Sequence, residues 1–285
     1  MIYCAVNASG KYIPAVDMVK FPDGTFGGTL VQALLDDPKE IDLAWLYDGD
    51  HELFQLSCIV DTLKSLYSSK PVTLFMPYVP NARMDRVKRP GQLLTIRSFA
   101  DMINGMNFSH VTVIDPHSDV TTALLDCVGV IEYASRSLLS TAMSCTATDL
   151  TNNVICYPDS GSAKRFHVPG VRTVTCEKVR NFDTGRIESV KLLKDFNLAG
   201  KTVYIVDDIC SYGGTFYAAA QALKAEGVRE VILVVSHCED SILRGKLFDE
   251  HEDKLIRKVF TTNSIFRGKH PDIRVVNLLT GELEK

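Results

Sequence analysis

Two adjacent carboxylates, Asp207 and Asp208, close the apolar run "TVYIV", and the small-residue turn "SYGGT" (211–215) follows three residues later. The two features suit opposite charges. Gly213 and Gly214 let the backbone approach a ligand closely and take positive φ. Amides at a helix start carry partial positive charge and favour an anion, and the hydroxyls of Ser211 and Thr215 add donors or acceptors. Carboxylates would repel that same anion. One ligand reconciles them if it carries a phosphate at one end and hydroxyls at the other. The turn, including Tyr212, would then hold the phosphate, while Asp207 and Asp208 accept from vicinal hydroxyls or hold Mg²⁺. A sugar phosphate has that shape. A glycine pair alone would read as a merely tight turn; the acid pair is what points to a ligand.

These residues need a strand before them and a helix after. The buried run at 203–207 reads as the strand. Phe216, Ala219, Ala220 and Leu223 recur at helical spacing over 214–226, and Gly227 is a C-terminal stop. Similar apolar runs at 2–6, 15–20, 42–47, 72–76, 110–114, 130–133, 153–157, 171–176, 230–236, 258–261 and 273–277 predict further strands. Helical patterns at 51–66, 95–106, 118–127, 136–143 and 241–249 lie between several of them. Such alternation implies an α/β protein whose mostly parallel sheets are flanked by helices, with ligands at the carboxyl ends of strands. "PVTLFMPYVPNARMDR" and "NNVICYPDSGSAKRF" both run from an apolar strand into a proline-containing, cation-bearing loop. That likeness suggests two similar domains meeting near 135–145 around a shared cleft; a single continuous sheet is the alternative.

Composition narrows the class. At 285 residues the chain can bury one large core or two smaller ones. Hydrophobic content of 46% and charged content of 23% are ordinary for a globular protein. A net charge of −4 with dispersed cations argues against a nucleic-acid partner. The eight cysteines form no CxxC pair and sit mostly in apolar runs, as reduced thiols of a cytoplasmic protein do. No leader or membrane-length apolar run is evident, so no membrane partner is expected.

The stretch "VYIVDDICSYGGT" resembles the ribose-phosphate-binding signature of the type I phosphoribosyltransferase fold. Five further segments resemble, more narrowly, the ribose-phosphate diphosphokinases (phosphoribosyl pyrophosphate synthetases): "KFPDG" (20–24), "MPYVPNARMDR" (76–86), "VTVIDPHS" (111–118), "CYPDSGSAKR" (156–165) and "CEKVR" (176–180). All stand in the family's order and span nearly the whole chain. The resemblance implies two similar phosphoribosyltransferase-type, Rossmann-like domains, 1–138 with the ATP-site loops and an oligomer hairpin, and 139–285 with the ribose-phosphate loop and a catalytic flap. It implies transfer of the β,γ-diphosphate of ATP to the 1-hydroxyl of ribose 5-phosphate, with AMP released. Phe21 and Asp23 would bind adenine, and Arg83, Met84 and Arg86 would line the ATP phosphates. His117, also at the ATP site, and Asp159 would hold Mg²⁺. Lys178 and Arg180, at the base of a flap over "NFDTGRIESV", would be catalytic, and Asp207 to Thr215 would bind the ribose phosphate. The family's hairpin reaches a neighbouring subunit, implying a homo-oligomer, dimer or hexamer, with a shared ATP site.

The chain departs from the family in places. Thr25 stands where a Glu is usual, Met84 where a Gln is usual, and Val87–Arg89 replaces a "KDK"-like run. Ser211-Tyr212 replaces an Asp-Thr step, which removes an acceptor and brings a flat ring to the rim of the phosphate site. ADP-ribose, whose distal ribose has a free 1-hydroxyl, is therefore the alternative acceptor; its product would be an activated donor for NAD synthesis. A phosphoribosyltransferase or a non-catalytic synthetase-like subunit are the rival classes.

Overall fold

The computed structural model describes residues 1–6, 11–146, 152–180, 187–248 and 254–284; for 6, 178–180 and 187–189 it describes the backbone alone. The chain divides into two compact units, Met1–Ile131 and Glu132–Lys285. That division falls ahead of 138, because Ala134 and Leu138 are buried with Tyr204 and Ile232 in a core of the second unit.

The first unit holds β1 (Ile2–Val6), β2 (Lys11–Pro14), β3 (Val16–Lys20), β4 (Phe26–Leu30), β5 (Ile41–Trp45), β6 (Val72–Phe75), β7 (His110–Ile114) and β8 (Val128–Ile131). Its helices are α1 (Gln32–Leu35), α2 (His51–Leu66), α3 (Thr95–Gly105) and α4 (Asp119–Leu124). The sheet runs β2-β1-β5-β6-β7-β8, parallel from β5 onward. Its core joins Leu43, Leu74 and Val113 to Leu56, Val60 and Leu63 of α2 and to Ile96, Phe99 and Ala100 of α3. β3 and β4 form a separate antiparallel hairpin. Phe26 of the hairpin packs edge-on against Phe54 of α2, with ring centroids 5.7 Å apart.

The second unit holds β9 (Asn153–Tyr157), β10 (Arg172–Arg180), β11 (Ile187–Leu193), β12 (Thr202–Cys210), β13 (Glu230–Cys238), β14 (Lys258–Thr262), β15 (Ile273–Val276) and β16 (Leu283–Glu284), with α5 (Leu139–Thr146), α6 (Ser160–Arg165) and α7 (Gly214–Ala225). The sheet order is β11-β10-β9-β12-β13-β14-β15-β16, parallel except at the β11 and β16 edges. The order in which strands are added reverses between the parallel neighbours β9 and β12: from β9 it runs outward to β10, and from β12 the opposite way to β13 and β14. Open α/β sheets bind ligands at such a switch point, beyond the carboxyl ends of the strands. The pairing opens room there. β12 stops pairing with β9 at Ile205 and continues along β13 to Cys210.

Expectation and structure differ at 241–249. In place of a helix, the described residues make two short 3₁₀ turns, Asp240–Arg244 and Lys246–Phe248, broken at Gly245. Among the described residues, no helix is long and apolar enough to cross a membrane.

Candidate active site

Asp207 and Asp208 stand where β12 has left β9 behind, and both are engaged by α6. Asp159 caps that helix, its Oδ1 accepting from the Ser162 amide at 3.0 Å. The Ser162 hydroxyl donates to Asp207 Oδ1 at 2.8 Å and lies 3.3 Å from the capping oxygen of Asp159. Arg165, at the last turn of α6, pairs with the buried Asp208 at 3.3 Å. A six-residue helix thus joins three of the expected site residues through two that sequence reasoning passed over, Ser162 and Arg165. Burial and the adjoining Asp208 carboxylate push the Asp207 carboxyl well above the usual range, against the opposing pull of the Ser162 hydroxyl. Such a carboxyl gains from any ligand that brings hydroxyl donors or a cation.

The turn after β12 has the expected form. Gly213 is left-handed, with φ +80°, and the Tyr217 amide returns to its carbonyl at 2.9 Å to start α7. Gly214 is exposed and open: a Cβ there would meet nothing within 4 Å. Thr215 is half-buried beside it. Tyr212 is 56% exposed, and the Arg244 guanidinium lies over its ring, 5.8 Å from the centroid. The two 3₁₀ turns brace the loop from behind. A Cβ on Gly213 would lie 2.4 Å from Leu247 Cδ1, and one on Gly245 would lie 1.9 Å from the Tyr212 carbonyl oxygen. Gly245→Ala is therefore expected to force the loop from its seat at a cost on the order of 1–3 kcal/mol, lowering the thermal midpoint by several degrees. Gly214→Ala should leave the midpoint within about one degree. Equal midpoints for the two variants in a thermal unfolding series would refute the bracing.

Ser211, the first loop residue, donates to Glu239 Oε2 at 2.6 Å, and the Glu239 amide returns to the Cys210 carbonyl at 2.8 Å. Glu239 was not legible as a partner, because it lies 28 positions away and reaches Ser211 only through the pairing of β12 with β13.

Lys178 and Arg180 lie on β10, whose pairing with β9 ends at Thr175 while its pairing with β11 runs on to Arg180. The two residues therefore ride on a two-stranded ribbon that outruns the sheet. The ladder slips between Val179 and Arg180. The flap residues 181–186 lie outside the described residues, as do the side chains of 178–180.

In the first unit, the expected nucleotide residues sit on a hairpin tip and two loops. Phe21 is 48% exposed at the end of β3. Thr25 donates through both its amide (3.0 Å) and its hydroxyl (2.7 Å) to Asp23 Oδ1, holding that carboxyl below its usual value. The residue that replaces the family's Glu thus orients Asp23. Arg83 is exposed and Met84 half-buried, on the loop after β6. Arg86 forks onto its neighbour Asp85 at 2.8 and 2.9 Å. That fork, reinforced by the nearby His117, holds Asp85 at about 2. Part of the Arg86 charge is therefore already compensated, and Asp85 ties this loop to the His117 turn that follows β7. Among the described residues no cluster of three or more His, Cys, Asp or Glu could hold a metal ion. Mg²⁺ is usually bound through one or two carboxylates with waters and substrate phosphate oxygens rather than by a protein cage.

Known proteins resemble this chain over most of its length. A phosphoribosyl transferase domain model matches residues 160–271. The ribose-phosphate pyrophosphokinase of Sulfolobus acidocaldarius is 27% identical over 249 residues, covering 86% of this chain and 82% of that protein. The Pyrococcus abyssi protein of the same name is 26% identical, with 88% and 84% covered. A solved phosphoribosylpyrophosphate synthetase from Mycobacterium smegmatis shares the fold with a TM-score of 0.72 at 22% identity, across 93% of this chain and 86% of its own. With the acid pair and the glycine turn on the page, the chain is similar over most of its length to the ribose-phosphate pyrophosphokinases, and its second unit carries a phosphoribosyl transferase domain.

Proposed function

We propose that the protein transfers the β,γ-diphosphate of ATP to the 1-hydroxyl of ribose 5-phosphate, giving phosphoribosyl pyrophosphate and AMP. The observation that carries this reading is the acid pair at the β9/β12 switch point, with the Gly213–Gly214 turn at the head of α7 on the same strand end. Attack at phosphorus leaves the protein two tasks, alignment and charge neutralisation. Asp207 and Asp208 accept from the ribose hydroxyls. The loop amides from Ser211 to Thr215 take the 5-phosphate. Phe21 stacks on adenine, and Asp23, already oriented by Thr25, accepts from its amino group. Arg83 and Arg86 pair with the ATP phosphates beside Met84, and Lys178 and Arg180 neutralise the charge that grows on the transferred group. Mg²⁺, with His117 and Asp159 as its protein ligands and phosphate oxygens for the rest, would supply further neutralisation. The ATP site is completed by the hairpin of a second copy, in a homo-oligomer of the cytoplasm, dimer or hexamer.

The test is an acceptor panel with ATP and Mg²⁺, read by AMP release. AMP that appears only with a ribosyl acceptor supports the reading. A phosphoribosyltransferase would instead consume phosphoribosyl pyrophosphate and a base, and a non-catalytic subunit would bind ATP without releasing AMP.

A second reading, ADP-ribose as acceptor, is favoured by the exposed Tyr212 ring with Arg244 above it. A ring and a cation beside the 5-phosphate suit a phosphate that continues into a second phosphate and a base. The product would be the pyrophosphorylated ADP-ribose, a donor for NAD synthesis. Tyr212→Thr should leave ribose 5-phosphate use intact or improved. On this second reading it lowers kcat/KM for ADP-ribose alone, by about two- to tenfold; parallel loss on both acceptors would count against it.

A further inference from the structure

The replacement of an aspartate by Ser211 deletes a carboxylate from the head of the phosphate loop, yet a carboxylate stands directly behind it. Ser211 Oγ is 2.6 Å from Glu239 Oε2. Ser241 Oγ is 3.0 Å from the same oxygen and 3.1 Å from Ser211 Oγ, which closes a triangle. Ser241 is buried and Ser211 half-buried. A serine hydroxyl has one proton and two lone pairs, and an ionised carboxylate only accepts. The 2.6 Å contact lies in the range of charge-assisted O–H···O⁻ bonds and is the shortest side of the triangle, so the Ser211 proton goes to Glu239. Whichever oxygen Ser241 donates to, Ser211 is left to offer a ligand acceptance.

We infer that Glu239 is a positioning residue for the ribosyl acceptor. Acting through Ser211, it places a hydrogen-bond acceptor at the head of a loop whose amides otherwise donate. The loop thereby discriminates within one ligand: phosphoryl oxygens bind the amides, and a sugar hydroxyl donates to Ser211 Oγ. A serine with a freely rotating hydroxyl would serve either group and select neither. Position 239 also follows β13 directly, and its amide is pinned to Cys210, so the carboxylate is held by the same ladder that carries Asp207 and Asp208. This inference rests on the reading of 211–215 as the acceptor's phosphate loop.

The test is a double-mutant cycle between Glu239→Gln and Ser211→Ala. It is read by calorimetric binding of ribose 5-phosphate and of ADP-ribose, and by KM for acceptor and for ATP. The glutamine amide can donate to Ser211 and reverse the hydroxyl while keeping its size. Each single variant is expected to weaken acceptor binding about tenfold, with KM for ATP unchanged. The double variant should be no weaker than Ser211→Ala alone, because Glu239 works only through that hydroxyl. Wild-type affinity in Glu239→Gln, or losses that multiply in the double variant, would overturn the inference while leaving the proposed function standing. If the wild-type protein bound neither acceptor, the phosphate-loop reading would fail and the inference with it.

Discussion

Lys178→Ala is expected to slow AMP release by on the order of 10³-fold or more while leaving ATP and acceptor affinities within a few-fold. Charge that develops on a transferred phosphoryl group is stabilised by cations present at the transition state, and loss of one such contact typically has that size. Because the ground-state phosphates keep their other contacts, the loss belongs in kcat rather than in KM. Lys178 lies on the ribbon that outruns the sheet. It pairs with Val190 of β11 in the part of β10 that has left β9. Single-turnover AMP release with saturating ATP, Mg²⁺ and acceptor is the measurement. A rate within tenfold of wild type would remove Lys178 from the chemistry.

Asp208→Asn should lower kcat/KM for the acceptor about 10- to 100-fold, through KM, since a hydrogen bond to a charged partner contributes about 1.5–3 kcal/mol. An unchanged acceptor KM would count against the ribose assignment. The same change should alter the pH dependence of stability. Asp207 is held well above the usual carboxylate range by burial and by the Asp208 charge, so the folded state binds its proton more tightly than the unfolded chain does. That contribution is fully present below the unfolded carboxyl value of about 3.9. It is lost as pH rises through the raised folded value. Removing the neighbouring charge brings Asp207 down, and the decline on that alkaline side should flatten. Arg165, 34% exposed, can return to water when its partner is neutralised. Urea midpoints of the two proteins across pH 4–8 would show this, and parallel curves would contradict it.

Much of this site was legible because its key residues are local in sequence. Asp207, Asp208 and the Gly213–Gly214 turn fall within one strand–loop–helix unit, where alternation and helical spacing locate them. The buried parallel strands were equally plain, since a run such as "VILVV" (231–235) has no other stable home. The hairpin partners were harder. β4 contains two adjacent glycines, which weaken its strand signal, and β11, "IESVKLL", begins inside the polar stretch that reads as the flap. α6, "SGSAKR", lacks an apolar repeat and depends on the Asp159 cap. The residues that complete the site come from across the sheet: Ser162 to Asp207, Arg165 to Asp208 and Glu239 to Ser211. Such pairings are set by strand order, which spacing along the chain does not encode. The 241–249 segment misled for a related reason. Its apolar spacing is helical, but close packing of Gly245 on the Tyr212 carbonyl breaks the helix into two turns.

The contacts of Gly213 with Leu247 and of Gly245 with Tyr212 bear on any attempt to retune which acceptor the enzyme accepts. Gly213 against Leu247 and Gly245 against the Tyr212 carbonyl leave no spare volume, so a loop transplanted from a relative would meet a wall shaped for a different backbone. Redesign has to exchange both segments together as one cassette, and a library that varies the loop alone would mostly sample proteins that no longer close.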